Sequence, residues 1–333
     1  MPMTIAHDDD RLAWHGAVSV ERTADWSMPW RIPHEDRGLY WPPELLAKLM
    51  EPAGVRLAFR SDTALVAGTV VPLEADSAFR LDCCCDGEVV GSVPVTGRDA
   101  FRFEDLPAGE KRIALWLPQR GPFKLRSLTL SDGATLAPAP DDRPTWITYG
   151  SSISQCAAAA SPTETWPAIV ARGRGLNLTC LGLGGQCHLD SLIARQIRDL
   201  PADFISMCLG INIWGGASLG PRTFRGAIIG FARIIRERHP DAPLVLMSPI
   251  FGCDRETTPN AVGFTLPMMR DEVAAAAEAL RAHGDGNVHY VNGLDILGPD
   301  HAHLLPDNLH PDAEGYRLMG RTFLEKVVPT VFP

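Results

Sequence analysis

The sequence predicts an α/β protein in two parts: an all-β sandwich, then a three-layer α/β/α domain built on a five-stranded parallel sheet. Three observations carry this expectation. Short alternating apolar segments separated by turn residues fill most of the first part. A proline-rich stretch, Ala137-Pro138-Ala139-Pro140-Asp141-Asp142-Arg143-Pro144, then interrupts the pattern. Beyond it, short apolar runs alternate with amphipathic stretches of helical length. With 333 residues, 45% hydrophobic and 21% charged, the chain has an ordinary globular balance and is long enough for two domains.

In the first part, strands are expected over Val55–Ser61, Ala64–Val71, Ala78–Cys85, Glu88–Val95, Phe101–Phe103, Arg112–Leu117 and Phe123–Leu130, with one more from Trp14 to Val20. The turn residues between them, such as Ser61-Asp62, Thr96-Gly97 and Gly121-Pro122, recur at the spacing of an antiparallel sandwich. Asp86-Gly87 is the strongest hairpin mark, because both central positions of a type I′ turn need positive φ. The proline-rich stretch reads as a linker, which puts a sandwich at residues 1–140 and a second domain at 141–333.

In the second part, the expected strands are Thr145–Tyr149, Leu176–Leu181, Asp203–Leu209, Leu244–Ser248 and Val288–Val291. Four apolar helix faces lie among them: Leu189, Leu192, Ile193 and Ile197; Phe224, Ile228, Phe231 and Ile235; Met269, Val273, Ala276 and Leu280; and Tyr316, Met319, Phe323 and Val327.

Forty acidic residues against 31 basic ones leave a formal charge of −9, which offers no footprint for nucleic acid or an anionic membrane surface. The opening residues carry Asp8-Asp9-Asp10 where an export signal has a basic start and an apolar core, and no run reaches the ~18 apolar residues of a membrane span. A cytoplasmic protein is expected. Of the eight cysteines, Cys83, Cys84 and Cys85 are consecutive and the others lie mostly in apolar segments, so buried free thiols in a reducing compartment are the expectation.

In an open parallel sheet, ligands bind where strands end. The first strand runs into Tyr149-Gly150-Ser151-Ser152-Ile153, a small-residue turn that presents a serine ahead of a helix. The second runs into Gly182-Leu183-Gly184-Gly185-Gln186, where a substrate oxygen can approach a backbone N–H. The third ends in Leu209-Gly210-Ile211-Asn212, whose amide can donate to a developing oxyanion. Pro306-Asp307-Asn308-Leu309-His310-Pro311 precedes the last helix, with Pro311 expected in its first turn. There Asp307 can take the imidazole Nδ1–H of His310 and leave Nε2 as a base. Each of these segments alone is also an ordinary structural turn.

Taken in order, Ser, Gly, Asn and Asp-x-x-His resemble the four motif blocks of the GDSL-type, or SGNH, hydrolase family, over roughly Trp146 to Val328. The resemblance implies a flavodoxin-like catalytic domain. It also implies Ser152 as nucleophile, Gly185 and Asn212 as oxyanion donors beside the Ser152 N–H, His310 as base and Asp307 as its orienting partner. Gly184 competes for the glycine role. Ser151 stands where the family usually has Asp, and Ile213 where a second acid often follows the asparagine. Gly150-Ser151-Ser152-Ile153, Trp166-Pro167 and Gly185-Gln186-Cys187-His188 resemble the two-domain branch of carbohydrate esterases and natural-product acyltransferases, in which a jelly-roll-like, carbohydrate-binding-like sandwich comes first. The implied chemistry is attack of serine on an acyl carbonyl, with the acyl-serine passed to water or to another hydroxyl. The implied substrate is a small acyl ester or acylated glycoside, with no cofactor, metal, nucleic acid or membrane.

Rival readings come from the same residues. Asp300, His301, His303, Asp307 and His310 offer imidazole and carboxylate for a zinc ion, and Cys187 offers a thiol nucleophile. A non-catalytic carbohydrate-binding protein is a third. Phe251 to Pro267 reads either as a segment over the site or as a free loop. Trp166 and Trp214 are candidates to shape a pocket, as are Trp30, Trp41 and Trp146 to join the sandwich to the catalytic domain and its acceptor side, with core burial the alternative for each.

Overall fold

The computed structural model describes residues 2–74 and 79–332. Its chain falls into two compact units. The first comprises Met1–Arg143 with Ala160–Thr163 and Asn177–Thr179, and the second the remainder from Pro144 to Pro333.

The first unit contains eleven described strands: β1 (Met3–Ala6), β2 (Ala13–His15), β3 (Ser19–Arg22), β4 (Ser27–Trp30), β5 (Arg56–Ser61), β6 (Val66–Val70), β7 (Arg80–Cys85), β8 (Glu88–Pro94), β9 (Ala100–Phe103), β10 (Lys111–Trp116) and β11 (Leu125–Leu130). One sheet runs β3-β4-β11-β6-β9 with β1 also on β11, and the other runs β2-β5-β10-β7-β8. Their inward residues, among them Leu57, Phe59, Ile113 and Leu115 from one sheet and Val66, Phe101, Leu125 and Leu128 from the other, share one buried core. That alternation is what the sequence pattern expressed. Asp86 and Gly87 take φ of 48° and 92° between β7 and β8, the two positive values an I′ hairpin requires.

The single strand expected from Trp14 to Val20 is instead two, β2 and β3, in different sheets, with the chain turning at Gly16. Two strands escaped the pattern: β1 has four residues, and β4 contains Pro29, which argues against a strand. A helix, α1 (Pro43–Leu49), also went unread, although Pro43 at its first turn and buried Leu45 and Leu49 explain it. The expected strand from Ala78 starts outside the described residues.

The proline-rich stretch is fastened to the first unit and is not a free linker. Ala137 exchanges both backbone hydrogen bonds with Arg60, and the His15 Nε2 lies 2.8 Å from the Ala139 carbonyl oxygen. Asp141, with a side chain only 1% exposed, accepts two 2.6 Å hydrogen bonds from Arg143 and faces Arg112 at 3.4 Å and Arg56 at 3.7 Å. Burial raises the Asp141 pKa, but the Arg143 hydrogen bonds and the charges of Arg143, Arg112 and Arg56 outweigh it and bring the carboxyl down to about 2. Burial in turn pushes the Arg56 guanidinium down to about 9.

In the second unit, β12 (Thr145–Gly150), β13 (Asn177–Gly182), β14 (Phe204–Cys208), β15 (Leu244–Met247) and β16 (Val288–Val291) form a sheet ordered β13-β12-β14-β15-β16. Pairing of β12 with β14, β14 with β15 and β15 with β16 is parallel. The direction of winding reverses between β12 and β14, which opens a crevice at the strand ends there. The helices are α2 (Ser152–Gln155), α3 (Trp166–Arg174), α4 (Ser191–Asp199), α5 (Ile211–Gly216), α6 (Phe224–Arg236), α7 (Leu266–Ala282), α8 (Ala313–Thr322) and α9 (Val328–Val331). α3 packs with α8, and α6 packs with both α4 and α7.

Three of the four expected helix faces are buried as read. In the fourth, Ile193 and Ile197 are buried in α4, whereas Leu189 precedes the helix at φ 64° and Leu192 is half-buried. A π-turn over Phe323–Val327 separates α8 from α9 yet keeps Phe323 and Val327 buried. Trp146 belongs to the core of this unit, stacked on Phe204 and Phe323 at 5.7 and 5.9 Å. Trp30 is likewise buried in the first unit, donating to Glu21, while Trp41 is 77% exposed. All eight cysteines are free, seven of them buried. No helix among the described residues is long and apolar enough to cross a membrane.

The buried cluster around Asp141 yields a stability prediction. Asp141→Asn leaves Arg56 buried without its carboxylate, and the expected loss in urea unfolding is about 2–3 kcal/mol at neutral pH. Because the folded Asp141 pKa is depressed, the wild-type advantage is complete above about pH 5 and fades as the pH falls towards 2. Equal unfolding curves at pH 7 would contradict it.

Candidate active site

The site is assembled at the ends of β12, β13 and β14 and the turn before α8. β12 ends at Gly150 and the chain enters α2 directly. Ser151 is fully buried and caps that helix, its Oγ accepting from the Ile153 N–H at 3.2 Å. Ser152, one residue on, is half-buried at the first helical position. The two adjacent serines therefore have different surroundings. α2 is held from both sides: the Trp166 indole donates to the Ile153 carbonyl at 3.0 Å, which makes buried Trp166 a support and not a pocket wall. On the other side Gly182, at the end of β13, lies so close that a Cβ there would come within 2.3 Å of the Gln155 nitrogen.

The Ser152 Oγ lies 2.8 Å from His310 Nε2, and His310 Nδ1 lies 2.6 Å from Asp307 Oδ2. Asp307 Oδ1 meanwhile accepts the backbone N–H groups of Leu309 at 3.0 Å and His310 at 2.6 Å. One carboxylate thus closes the turn and aims the ring. Since a carboxylate only accepts, Nδ1 carries the proton, and Nε2 is left to accept from the serine hydroxyl. Partial burial raises the Asp307 pKa, but the His310 ring, the two backbone donors and the imidazole's charge hold the carboxyl below its ordinary value. Pro311 is not in the first turn of α8 as expected. Asp312 is the cap, accepting from the Gly315 N–H, so His310 sits in the turn ahead of the helix.

Gly184 and Gly185 differ in what their N–H groups do. The Gly184 N–H donates to Gln155 Oε1 at 2.8 Å, whereas the exposed Gly185, at φ 76°, has no partner for its N–H among the described residues. This favours Gly185 over Gly184 as a donor to substrate. Asn212 is not at a strand end but in the first turn of α5. Its Oδ1 accepts the Cys187 N–H at 3.0 Å, which turns the amide nitrogen to the other side as a donor. The same bond ties the β13 loop to α5. An ideal Cβ on Gly184 would stand 3.6 Å from the Ser152 Cβ, so Ser152, the glycine loop and α5 are neighbours. The arrangement can deliver a serine oxygen to a carbonyl and donate hydrogen bonds to the anion that results.

The segment after β15 is not a free loop. The Arg255 guanidinium lies 5.3 Å from the Trp214 ring centroid and donates to the Asn308 carbonyl at 3.0 Å, while the Asn260 amide donates to the Trp214 carbonyl at 2.9 Å. Glu256 behind it is paired with Arg270 at 2.7 Å. Arg255 thus joins the Asn212 helix to the Asp307–His310 turn. Nothing in the sequence singled it out, nor Gln155, whose one signal is its place one turn after Ser151. Cys187 is buried, and burial pushes its thiol above the ordinary range, the wrong direction for a nucleophile. His301 and His303 lie in a 3₁₀ turn (Pro299–Leu304) with rings 6.4 Å apart, and Asp307 is engaged by His310 instead. Among the described residues, no three His, Cys, Asp or Glu side chains gather as a metal site.

Comparison with known proteins follows the same division of the chain. Residues 12–126 match the family described as the SsfX3 N-terminal domain, and residues 147–318 match the GDSL-like lipase/acylhydrolase family. Among solved structures, the salicylyl-acyltransferase SsfX3 from a tetracycline biosynthetic pathway is 36% identical, with a TM-score of 0.92 over 100% of this chain and 98% of that one. A GDSL-like lipase from Bacteroides ovatus ATCC 8483 is 20% identical (TM-score 0.81, 99% and 98% covered), and a family two carbohydrate esterase from Cellvibrio japonicus is 15% identical (TM-score 0.66, 99% and 98% covered). These two share the fold. No curated protein sequence matches. With a family match spanning more than half of its residues and a relative 36% identical over its full length, the chain belongs to the GDSL-like lipase/acylhydrolase family and is an enzyme that cleaves or transfers an acyl group at an ester bond.

Proposed function

We propose that Ser152 is the nucleophile of a serine acyl-transfer reaction, with His310 as general base, Asp307 as its orienting partner, and the Ser152 N–H, Gly185 N–H and Asn212 amide as oxyanion donors. The observation that carries this reading is the pair of contacts Ser152 Oγ–His310 Nε2 at 2.8 Å and His310 Nδ1–Asp307 Oδ2 at 2.6 Å. His310 Nε2 takes the serine proton as Oγ attacks the acyl carbonyl. The same proton then goes to the departing alkoxide, and the acyl group stays on Ser152. Water or a second hydroxyl, deprotonated by His310 in its turn, attacks the acyl-serine and frees the enzyme.

The substrate is a small acyl ester or acylated glycoside. A hydroxyl on a small molecule is the acceptor that the likeness to SsfX3 favours over water. A cytoplasmic setting accords with eight free thiols. The partition is measurable: with a nitrophenyl ester as donor, added alcohols raise nitrophenol release and divert the acyl group to the new ester if transfer is the function. Release that is unchanged, with only free acid formed, would restrict the enzyme to hydrolysis.

Ser152→Ala is expected to abolish turnover of nitrophenyl esters with the fold intact, while Ser151→Ala costs about 1 kcal/mol of stability as a lost cap and leaves turnover largely in place. Comparable activity in the two variants would overturn the assignment of Ser152.

Asn212→Ala should lower kcat by roughly 100- to 1,000-fold with little change in KM. A change confined to KM would place Asn212 in ground-state binding instead.

Activity should rise with pH to a plateau, with a single ionisation on the acid side. Asp307, held below the ordinary carboxylate range, stays charged and adds no second ionisation near neutral pH. Asp307→Asn should retain measurable turnover, since the turn also fixes the His310 backbone, whereas His310→Ala should approach the loss seen with Ser152→Ala. A pH profile with no fall on the acid side, or full activity in His310→Ala, would remove the base from the mechanism.

A further inference from the structure

His188 stands beside the donors just described without belonging to the triad. Its Nε2 lies 3.0 Å from the Gly185 carbonyl oxygen and its Nδ1 lies 2.7 Å from the Ser218 Oγ, just past the end of α5. A carbonyl oxygen can only accept, so Nε2 carries the proton. In the neutral ring Nδ1 then accepts from the Ser218 hydroxyl. The ring is also wedged against the backbone of α5, because a Cβ on Gly216 would come within 3.1 Å of the His188 Cε1. The Cys187 N–H, one residue before, is bonded to Asn212 Oδ1. Two adjacent residues of the β13 loop therefore grip both ends of the short helix that carries Asn212, and one of them also holds Gly185. Gly185 is exposed, has no side chain and sits at φ 76°, so few contacts of its own fix the direction of its N–H.

We propose that His188 is a positioning residue for the oxyanion donors: its imidazole locks the Gly185 carbonyl to the end of α5, which restricts rotation about the Gly185 φ and ψ, so that the Gly185 N–H and the Asn212 amide keep a fixed mutual orientation. This rests on the reading of Gly185 and Asn212 as oxyanion donors. Preorganised donors stabilise the anion without reorganising during reaction, and a loosened donor loses part of that benefit even though it is still present. The effect falls on the tetrahedral anion and not on the bound ester.

The two ring nitrogens allow a stereochemical test. A glutamine amide reaches the position of Nε2, whereas an asparagine amide reaches only that of Nδ1. Kinetics on a nitrophenyl ester are measured for wild type, His188→Ala, His188→Gln and His188→Asn. The inhibition constant of phenylboronic acid, whose serine adduct is a tetrahedral anion, is measured alongside. The expected result is a loss in kcat of about tenfold for Ala and Asn with KM nearly unchanged, boronate binding weakened by the same factor, and substantial recovery of both by Gln. Equal losses in all three variants, a change confined to KM, or boronate binding that does not follow kcat would overturn the proposal. Asn212→Ala run in parallel separates the two levels. If it weakens the boronate while the His188 variants do not, only the role of His188 falls. If it too leaves the boronate unaffected, the oxyanion assignment itself falls.

Discussion

The hydrogen bond between Ser152 and His310 joins residues 158 positions apart, and most of the second unit can be understood as the means of making it. Neither side chain can find the other from local structure. Ser152 is delivered by the first strand of the sheet, and His310 by the turn before the last long helix. The contact is made only if α3 and α8 pack on each other, which in turn needs the aromatic cluster of Trp146, Trp166, Phe204 and Phe323 beneath them. Trp166 ties that cluster to the candidate site directly, since its indole N–H also holds the Ile153 carbonyl of the helix that begins with Ser152.

Around this contact the polar groups are divided by role with little overlap. Oxygen acceptors that face the protein are occupied: Asn212 Oδ1 by the Cys187 N–H, Gln155 Oε1 by the Gly184 N–H, and both Asp307 oxygens by the His310 turn. Among the described residues, the Ser152 N–H, the Gly185 N–H and the Asn212 amide are donors left over beside it. A site with occupied acceptors and spare donors suits an anion that exists only briefly, because water can satisfy the donors until the oxyanion replaces it. Asp307 and His310 are substantially exposed, so their attraction is screened and their value lies in orientation more than in stability.

Much of the candidate site was legible in the sequence because its residues lie in or beside the short turns that join strands and helices, where residue choice is narrow. Ser152 two residues after Gly150, Asn212 two residues after Gly210 and the Asp307–His310 spacing are local patterns, and their order along the chain survives without knowledge of the fold. The strands β6, β10 and β11 were also legible, since deeper burial on one face imposes a period of two. Contacts made across the fold left no such trace. Arg255 over Trp214, Gln155 on Gly184 and His188 on Ser218 are pairings of ordinary surface-type residues, visible only once the loops are placed. The buried carboxylate Asp141 hid within a composition typical of linkers.

The central claim is that the Ser152 hydroxyl, activated by His310, is the group that attacks. Its most direct measurement is the site of covalent capture by a fluorophosphonate, read by intact mass and peptide mapping. One adduct per chain on Ser152, formed far more slowly in His310→Ala, is the predicted result. An adduct on Ser151 or Cys187, or an active enzyme that takes up no phosphonate, would contradict the account.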